Sequence, residues 1–321
     1  MKNTSSNKCS GFCRGLTLMF AIILVTGTAF TVRAQIEQQL FGSPEDAVSA
    51  LKAAVKSHDQ AALAAMFGPR IRDFVSGDPV LDKTFFEEFA RNIARSSKLE
   101  KVTEQEYTVL IGEDDWPFSA PIVKAGDKWR FDTDAGVEEM LNRRIGLNEF
   151  FAMNLCRTYA VAQFEYFNGD DHDGDQVSEY AQKISSSVGK RDGLYWVKVA
   201  EDEDESPLGP LVAYAAADGY SARTGTTQTA APFYGYNFKV LYRQGPSAPG
   251  GKFNYIINGN MIAGFALVAY PATWGNSGIM TFIVNQEGRV YEKNLGPGTK
   301  AIAEAMTEYN PDVTWSLVDL E

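Results

Sequence analysis

The stretch from Tyr234 to Pro297 decides the fold, because it contains three strand-like runs in succession. These runs are YGYNFKVLYR (234–243), GFALVAYP (264–271) and GIMTFIVNQEGRVYEKNLGP (278–297). Every second residue of the first run is apolar, which is typical of a strand with one buried face. The second run is apolar throughout, so we expect it to be buried on both faces. With turn residues at 285–288 separating two further strands, the stretch predicts an antiparallel meander.

A long helical segment over residues 136–168 precedes this meander. Its apolar residues cover a surface wider than one narrow stripe, so we expect the helix to be covered on more than one side. A short helix near Tyr180–Ser185 and a last helix from Thr299 are also predicted. Residues 136–321 are therefore predicted to form one domain, with a long helix packed on an antiparallel sheet.

Residues 43–135 are predicted to form a separate N-terminal α+β domain, after a linker at 35–42. Ser43 and Pro44 mark a helix start, and two more helical segments follow. Strand-like runs come next and include a hairpin around Gly126. Helices followed by a curved sheet resemble the cone-shaped NTF2-like and cystatin-like folds. The whole chain is thus predicted to be α+β.

The first 34 residues are typical of a signal peptide. Lys2, Lys8 and Arg14 form a positive region, and the uncharged run Leu16–Val32 follows. The residues before position 35 fit a cleavage site after Ala34. The alternative is a retained membrane anchor, because the run approaches spanning length. Cleavage is favoured, and it predicts an exported protein, periplasmic or secreted.

The chain is acidic and carries few cysteines. Four of its 30 basic residues and none of its 41 acidic residues lie in the leader, so the remainder has a formal charge of −15. This charge argues against nucleic acid or an anionic membrane surface as a partner. Only Cys156 remains after leader removal, so no internal disulfide is predicted. The sequence leaves the oligomeric state open.

An acidic loop at 170–175 is the best metal candidate. Asp171, Asp173 and Asp175 supply clustered carboxylates, which suit a hard cation such as calcium. An EF-hand is not matched, because Gln176 and Gln182 stand where that loop requires Gly and Glu. We therefore predict at most weak calcium binding here and no other cofactor.

No set of catalytic residues emerges from the sequence. Cys156 could act as a nucleophile with His172 as its base, but it lies in an apolar helical segment, where a free cysteine usually behaves as a small hydrophobe. The P-loop and nucleophile-elbow signatures fail, and the 41 acids do not single out one carboxylate pair. A further set of aromatic residues could line a groove or fill the cores: Trp116, Tyr234, Tyr255, Trp196 and Trp274.

The order of motifs resembles DUF2950, a family of exported bacterial proteins catalogued only as a domain of unknown function. The resemblance is carried by WPF (116–118), WRFD (129–132), RRIGLNE (143–149), GKRDGLYW (189–196), SPLGP (206–210) and the block 258–297. It implies no known activity.

A second resemblance is to the heads of type IV pilins and pseudopilins. It rests on residues of the long helix and on the Gly-rich loop that follows it, and it continues into the sheet. The helix residues are Asn148-Glu149, Arg157, Ala162-Gln163 and Tyr166, and the sheet residues are Tyr236-Asn237-Phe238, Ala269-Tyr270-Pro271, Gly278 and Gly288. The likeness implies one helix lying across an antiparallel meander. Pilins begin directly with this helix, whereas here a domain precedes it, which puts filament assembly in doubt.

These observations favour a non-enzymatic module of the cell envelope that binds another protein or a polymer. Two alternatives remain open. One is a small-ligand binder that uses a pocket in the N-terminal domain. The other is a carboxylate-dependent hydrolase, which requires two acids in one cleft with at least one shifted pKa.

Overall fold

A computed structural model describes residues 37–75, 79–169, 174–197, 204–211 and 232–318. Helices occur there together with antiparallel sheets, so the predicted α+β class is confirmed. The predicted signal peptide (1–34) lies outside the described residues. In the part of the chain that the structure describes, no helix combines the length and apolar character needed to span a membrane.

The N-terminal half begins with helices. They are α1 (Pro44–Ser57), α2 (Gln60–Phe67) and α3 (Pro79–Arg95), with a 3₁₀ turn at Gly68–Phe74 after α2. The predicted helix start is confirmed, because the Ser43 side chain accepts a hydrogen bond from the backbone N–H of Asp46. The chain then turns at His58, where φ is 53°, and Asp59 caps α2.

A five-stranded antiparallel sheet follows these helices. Its strands are β1 (Ser97–Thr103), β2 (Glu106–Ile111), β3 (Trp116–Pro117), β4 (Ile122–Ala125) and β5 (Lys128–Phe131). The order is β1-β2-β4-β5, and β3 also pairs with β2. The predicted hairpin around Gly126 is formed by β4 and β5. Phenylalanine rings dominate the buried cluster between helices and sheet, with neighbouring ring centroids 5.0 to 6.2 Å apart.

The long helix α4 spans Thr133–Asn168, 36 residues. It begins three residues before the predicted start because Asp132 caps it, accepting a hydrogen bond from the N–H of Ala135. Its N-terminal part contacts the 3₁₀ turn of the first half, and the remainder packs on the C-terminal sheet. One helix thus contributes to both halves of the chain.

The C-terminal sheet is the predicted meander. Its strands are β6 (Tyr236–Leu241), β11 (Ala266–Pro271), β12 (Met280–Asn285), β13 (Tyr291–Asn294) and β14 (Ser316–Leu317). They pair antiparallel in the order β14-β13-β12-β11-β6. All residues of β11 are buried, which confirms the prediction made from its continuous apolar run. Helix α5 (Thr299–Ala305) contacts β11.

The C-terminal half also contains four short strands. Two hairpins are formed by β7 (Arg243–Gln244) with β8 (Phe253–Asn254), and by β9 (Ile256–Ile257) with β10 (Asn260–Met261). The helix predicted near Tyr180–Ser185 was wrong. The N–H of Tyr180 donates to the carbonyl of Met261, and the N–H of Ala181 donates to the Gln163 side chain, so these backbone groups have tertiary partners instead of helical ones.

Two buried hydrophobic clusters result. One contains residues from Phe41 to Phe131, and the other contains residues from Ala152 to Tyr309. The division between them falls within the first part of α4. The predicted domain boundary at residue 135 remains a prediction, because α4 joins the two clusters without an intervening linker.

Candidate functional site

The predicted calcium loop lies mostly outside the described residues, because Asp171 and Asp173 are not among them. Asp175 is described, and its carboxylate accepts hydrogen bonds from the Val177 N–H at 2.8 Å and from the Asn260 amide at 2.6 Å. Among the described residues, no group of three or more His, Cys, Asp or Glu side chains is arranged to hold a metal. Weak calcium binding therefore stays a prediction.

Cys156 is fully buried in the C-terminal cluster. Burial raises the pKa of its thiol to about 12, because a thiolate would lose its hydration there. The base considered for it, His172, lies outside the described residues. A protonated, enclosed thiol is a poor nucleophile, which favours the core role over the catalytic one.

The five aromatic residues singled out from the sequence have different environments. Tyr234, Tyr255 and Trp196 are buried, as expected for core residues. Trp274 is half-buried, and its indole N–H donates to the Asn294 side chain at 3.0 Å. Trp116 differs from them with 58% of its surface exposed, and the Arg143 guanidinium lies 5.2 Å from its ring centroid.

The RRIGLNE motif (143–149) lies on α4 where the two halves of the chain meet. On the N-terminal side, the Arg143 guanidinium donates to the carbonyl of Pro117 at 2.9 Å. Arg144, which is buried, donates to the carbonyl of Val75 at 3.0 Å, and burial lowers the pKa of its guanidinium. These contacts tie the helix to the first half.

The end of the same motif ties α4 to the C-terminal sheet. The Asn148 amide donates to the carbonyl of Ser277 at 2.9 Å. One carboxylate oxygen of Glu149 accepts hydrogen bonds from the N–H groups of Ile279 and Met280, at 2.8 and 2.9 Å. The Tyr236 hydroxyl donates to the carbonyl of Met280 at 2.8 Å. The pairing of β11 with β12 ends at Phe282, so these side chains replace missing ladder partners.

A second carboxyl group, that of Glu292, interacts electrostatically with Glu149. Glu292 of β13 stands opposite Phe282, whose ring centroid is 5.9 Å from that of Tyr236. Burial raises the pKa of the Glu292 carboxyl, and the negative charge of Glu149 raises it further. Burial and the same charge raise the pKa of the Tyr236 hydroxyl. Glu292 is therefore a carboxyl group whose protonated form is favoured by burial and by the charge of a second carboxylate.

A third feature is the side of α4 opposite its buried residues Ala152, Tyr159 and Tyr166, which we call the outer face. At its two ends Arg143 donates to the carbonyl of Pro117, and the Phe164 ring packs against Phe265 with the centroids 5.5 Å apart. Three of its apolar side chains are exposed, with 53% of the surface of Phe150, 66% of Val161 and 42% of Phe164 accessible. The remaining members are half-buried. The outer face consists of Arg143, Leu147, Phe150, Asn154, Arg157, Val161 and Phe164.

Comparison with known families identifies the family to which the chain belongs. One family model matches residues 38–318, which include nearly all of the described residues. The chain belongs to DUF2950. This family is described as a protein of unknown function, so membership brings no activity with it. No curated protein and no solved structure matches the chain.

Membership in DUF2950 confirms the resemblance inferred from the motif order. The likenesses to pilin heads and to cone-shaped folds stay predictions. Sequence reasoning missed two features of this DUF2950 protein, namely the pairing of Glu149 with Glu292 and the exposure of the outer face. A signal for the second was present, since the apolar surface of α4 was wider than one packed stripe requires. No local pattern indicated the first.

Proposed function

We propose that this DUF2950 protein is an exported, non-enzymatic module of the cell envelope that binds another protein through the outer face of α4. The exposure of Phe150, Val161 and Phe164 carries the proposal. Phe150 and Val161 lie on a helix whose opposite side is already buried. The Phe164 ring also packs against Tyr180 and Phe265, with centroids 5.9 and 5.5 Å away, so only its remaining surface is available to a partner. Apolar side chains exposed at intervals along one helix face suit a site that binds a partner through that face.

The composition of the outer face supports a protein partner. Arg143 and Arg157 are interspersed with the exposed apolar residues, and Trp116 extends the surface beside Arg143. Tryptophan and arginine are enriched among the residues that dominate protein–protein binding energy. The predicted export and the acidic balance of the chain support an envelope protein over nucleic acid as the partner.

A matched pull-down tests the proposal. The full chain is immobilised, exposed to detergent-extracted envelope from the producing cells, and compared with the Phe150→Glu and Val161→Glu variants. We expect both variants to lose the protein that the wild-type chain retains. Val188→Glu is the control, because Val188 is 77% exposed and lies outside α4. Equal retention by wild type and Phe150→Glu, or no specific retention by wild type, would contradict the proposal.

The small-ligand alternative requires an open apolar pocket in the N-terminal half. The rings of Phe67, Phe118 and Phe131 pack against one another there, with centroids 5.0 to 6.2 Å apart. Phe131 is fully buried. Such ring packing supports a filled core and therefore favours the interaction module.

A carboxylate-dependent hydrolase is the second candidate function, and the Glu149–Glu292 pair favours it. A carboxyl group with a raised pKa can act as a general acid while its ionised neighbour acts as base or nucleophile. The two backbone N–H groups held by Glu149 support a structural role for that residue instead. Turnover of a panel of 4-methylumbelliferyl glycosides by wild type, abolished in Glu292→Gln, would establish the hydrolase. Equal rates for both proteins would exclude these glycosides as substrates of the pair.

A further inference from the structure

The outer face of α4 follows a heptad pattern. Starting at Arg143, its members are separated alternately by four and three residues, and the series extends to Asn168. This is the spacing of the two inward positions of a coiled coil, which form a continuous seam along a helix. The buried residues Ala152, Tyr159 and Tyr166 lie on the opposite side. The helix therefore packs its own protein on one side and presents a seam of residues at coiled-coil spacing on the other, although Arg143 and Phe164 near the ends of the seam also contact their own chain.

We propose that this seam pairs with the same seam of a second copy of the chain, with the two helices antiparallel. The inference rests on the proposed function and names the partner. The pairing centres between Leu155 and Cys156, and each layer joins either two apolar or two polar side chains. Leu147 packs on the partner's Phe164, Phe150 on the partner's Val161, Asn154 on the partner's Arg157, and Arg143 on the partner's Asn168.

The matching of these layers favours a second copy over an unrelated helix. The two apolar layers on each side of the centre join apolar residues only, and the central layers place the Arg157 guanidinium against an amide oxygen acceptor. Neither Asn154 nor Arg157 forms a side-chain hydrogen bond with any described residue of its own chain. A polar layer of this kind fixes the register of a coiled coil.

Other alignments of the two seams are worse. A parallel pair would place Arg143 and Arg157 against their own copies, which brings like charges together twice. Moving the antiparallel pair by one heptad in one direction places Leu147 on the partner's Arg157. Moving it in the other direction places Arg157 on the partner's Val161. Of these alignments, only the register described above keeps arginine away from both arginine and apolar residues, and it generates a two-fold symmetric dimer.

Disulfide trapping tests both the partner and the register. Phe150→Cys and Val161→Cys variants of the full chain, each also carrying Cys9→Ser and Cys13→Ser, are oxidised separately and after mixing. In the proposed dimer each introduced thiol is about 16 Å along the axis from its own copy, since eleven residues separate positions 150 and 161. The mixed sample brings different thiols together, within the Cα separation of about 7 Å that a disulfide allows. We expect an intermolecular disulfide in the mixture only.

Two results would overturn the inference. Cross-linking of either variant alone at the rate of the mixture would contradict the antiparallel register. A wild-type chain that remains monomeric in sedimentation equilibrium, with no cross-link in the mixture, would contradict self-pairing. If the dimer forms, Phe150→Glu should raise its dissociation constant about tenfold or more, and Val188→Glu should leave it unchanged.

The same measurements separate this inference from the proposed function. A monomeric wild type whose envelope capture is lost in Phe150→Glu would remove self-pairing and retain the interaction module. A dimer that is lost in Phe150→Glu, with no other protein captured, would establish self-pairing and remove the heterologous partner.

Discussion

Replacing Glu149 with alanine should destabilise the junction between α4 and the C-terminal sheet. The carboxylate oxygen of Glu149 accepts two backbone hydrogen bonds, from Ile279 and Met280, and alanine offers no acceptor in its place. A buried donor left unpaired costs about 1–3 kcal/mol. Because both donors are on half-buried residues, we take values near the lower end, so Glu149→Ala should lower the free energy of unfolding by about 2–3 kcal/mol.

Chemical denaturation of purified protein measures this loss, and thermal unfolding gives a second readout. For a domain of this size the expected decrease in Tm is about 4–10 °C. Glu149→Gln keeps an oxygen acceptor without the charge, so it should lose about 1 kcal/mol. Amide hydrogen exchange at Met280 should become faster in the alanine variant.

Glu138→Ala provides the matched control. Glu138 is an exposed glutamate on the same helix, so this variant makes the same change in helix propensity without removing a contact to the sheet. If Glu149→Ala and Glu138→Ala agree within about 0.5 kcal/mol, the reasoning that assigns the junction to this carboxylate is refuted.

Three further predictions concern ionisable groups. Cys156 should react with a thiol reagent only as fast as the protein unfolds, because its thiol is buried and its pKa is about 12; rapid stoichiometric labelling of the native protein would contradict this. Burial raises the pKa of the Asp192 carboxyl, but hydrogen bonds from Lys183 and Ser187 outweigh it and lower the pKa to about 2, below the ordinary 3.8. Stability from these bonds is present above pH 4 and lost as pH falls towards 2, so acid should destabilise wild type more steeply than Asp192→Asn in parallel denaturation curves. Glu292 has a raised pKa and costs stability when ionised, so Glu292→Gln should be the more stable protein at pH 7, with the difference vanishing at low pH.

The sheets could be predicted from the sequence because their signal is local. Alternation in residues 234–242 and the continuous apolar run of β11 each determine which side chains are buried, and turn residues delimit the strands. The cap at Ser43 is another local signal. The helix predicted near Tyr180–Ser185 failed because periodicity does not reveal that Gln163 and Met261 bond its backbone.

The candidate site could be predicted only in part. The RRIGLNE motif was recognised as a unit, but its contacts reach Val75 in one direction and Ser277 in the other, and no local pattern encodes such partners. Likewise, composition does not decide that Tyr255 is buried while Trp116 is exposed. The sequence showed that α4 has a wide apolar surface. It did not show whether other parts of the chain would cover both sides of the helix.

The position of α4 in the chain has a consequence for how the protein reaches its fold. The first buried cluster uses residues 41–131, all of which precede α4. The side chains that fix α4 to the second sheet must find partners 129 to 131 positions later, at Ser277, Ile279 and Met280. Closing so long a loop is slow relative to forming local contacts. We therefore expect the contacts between α4 and the second sheet to form after the local contacts of the first cluster, and their long sequence separation to slow the folding of the C-terminal half.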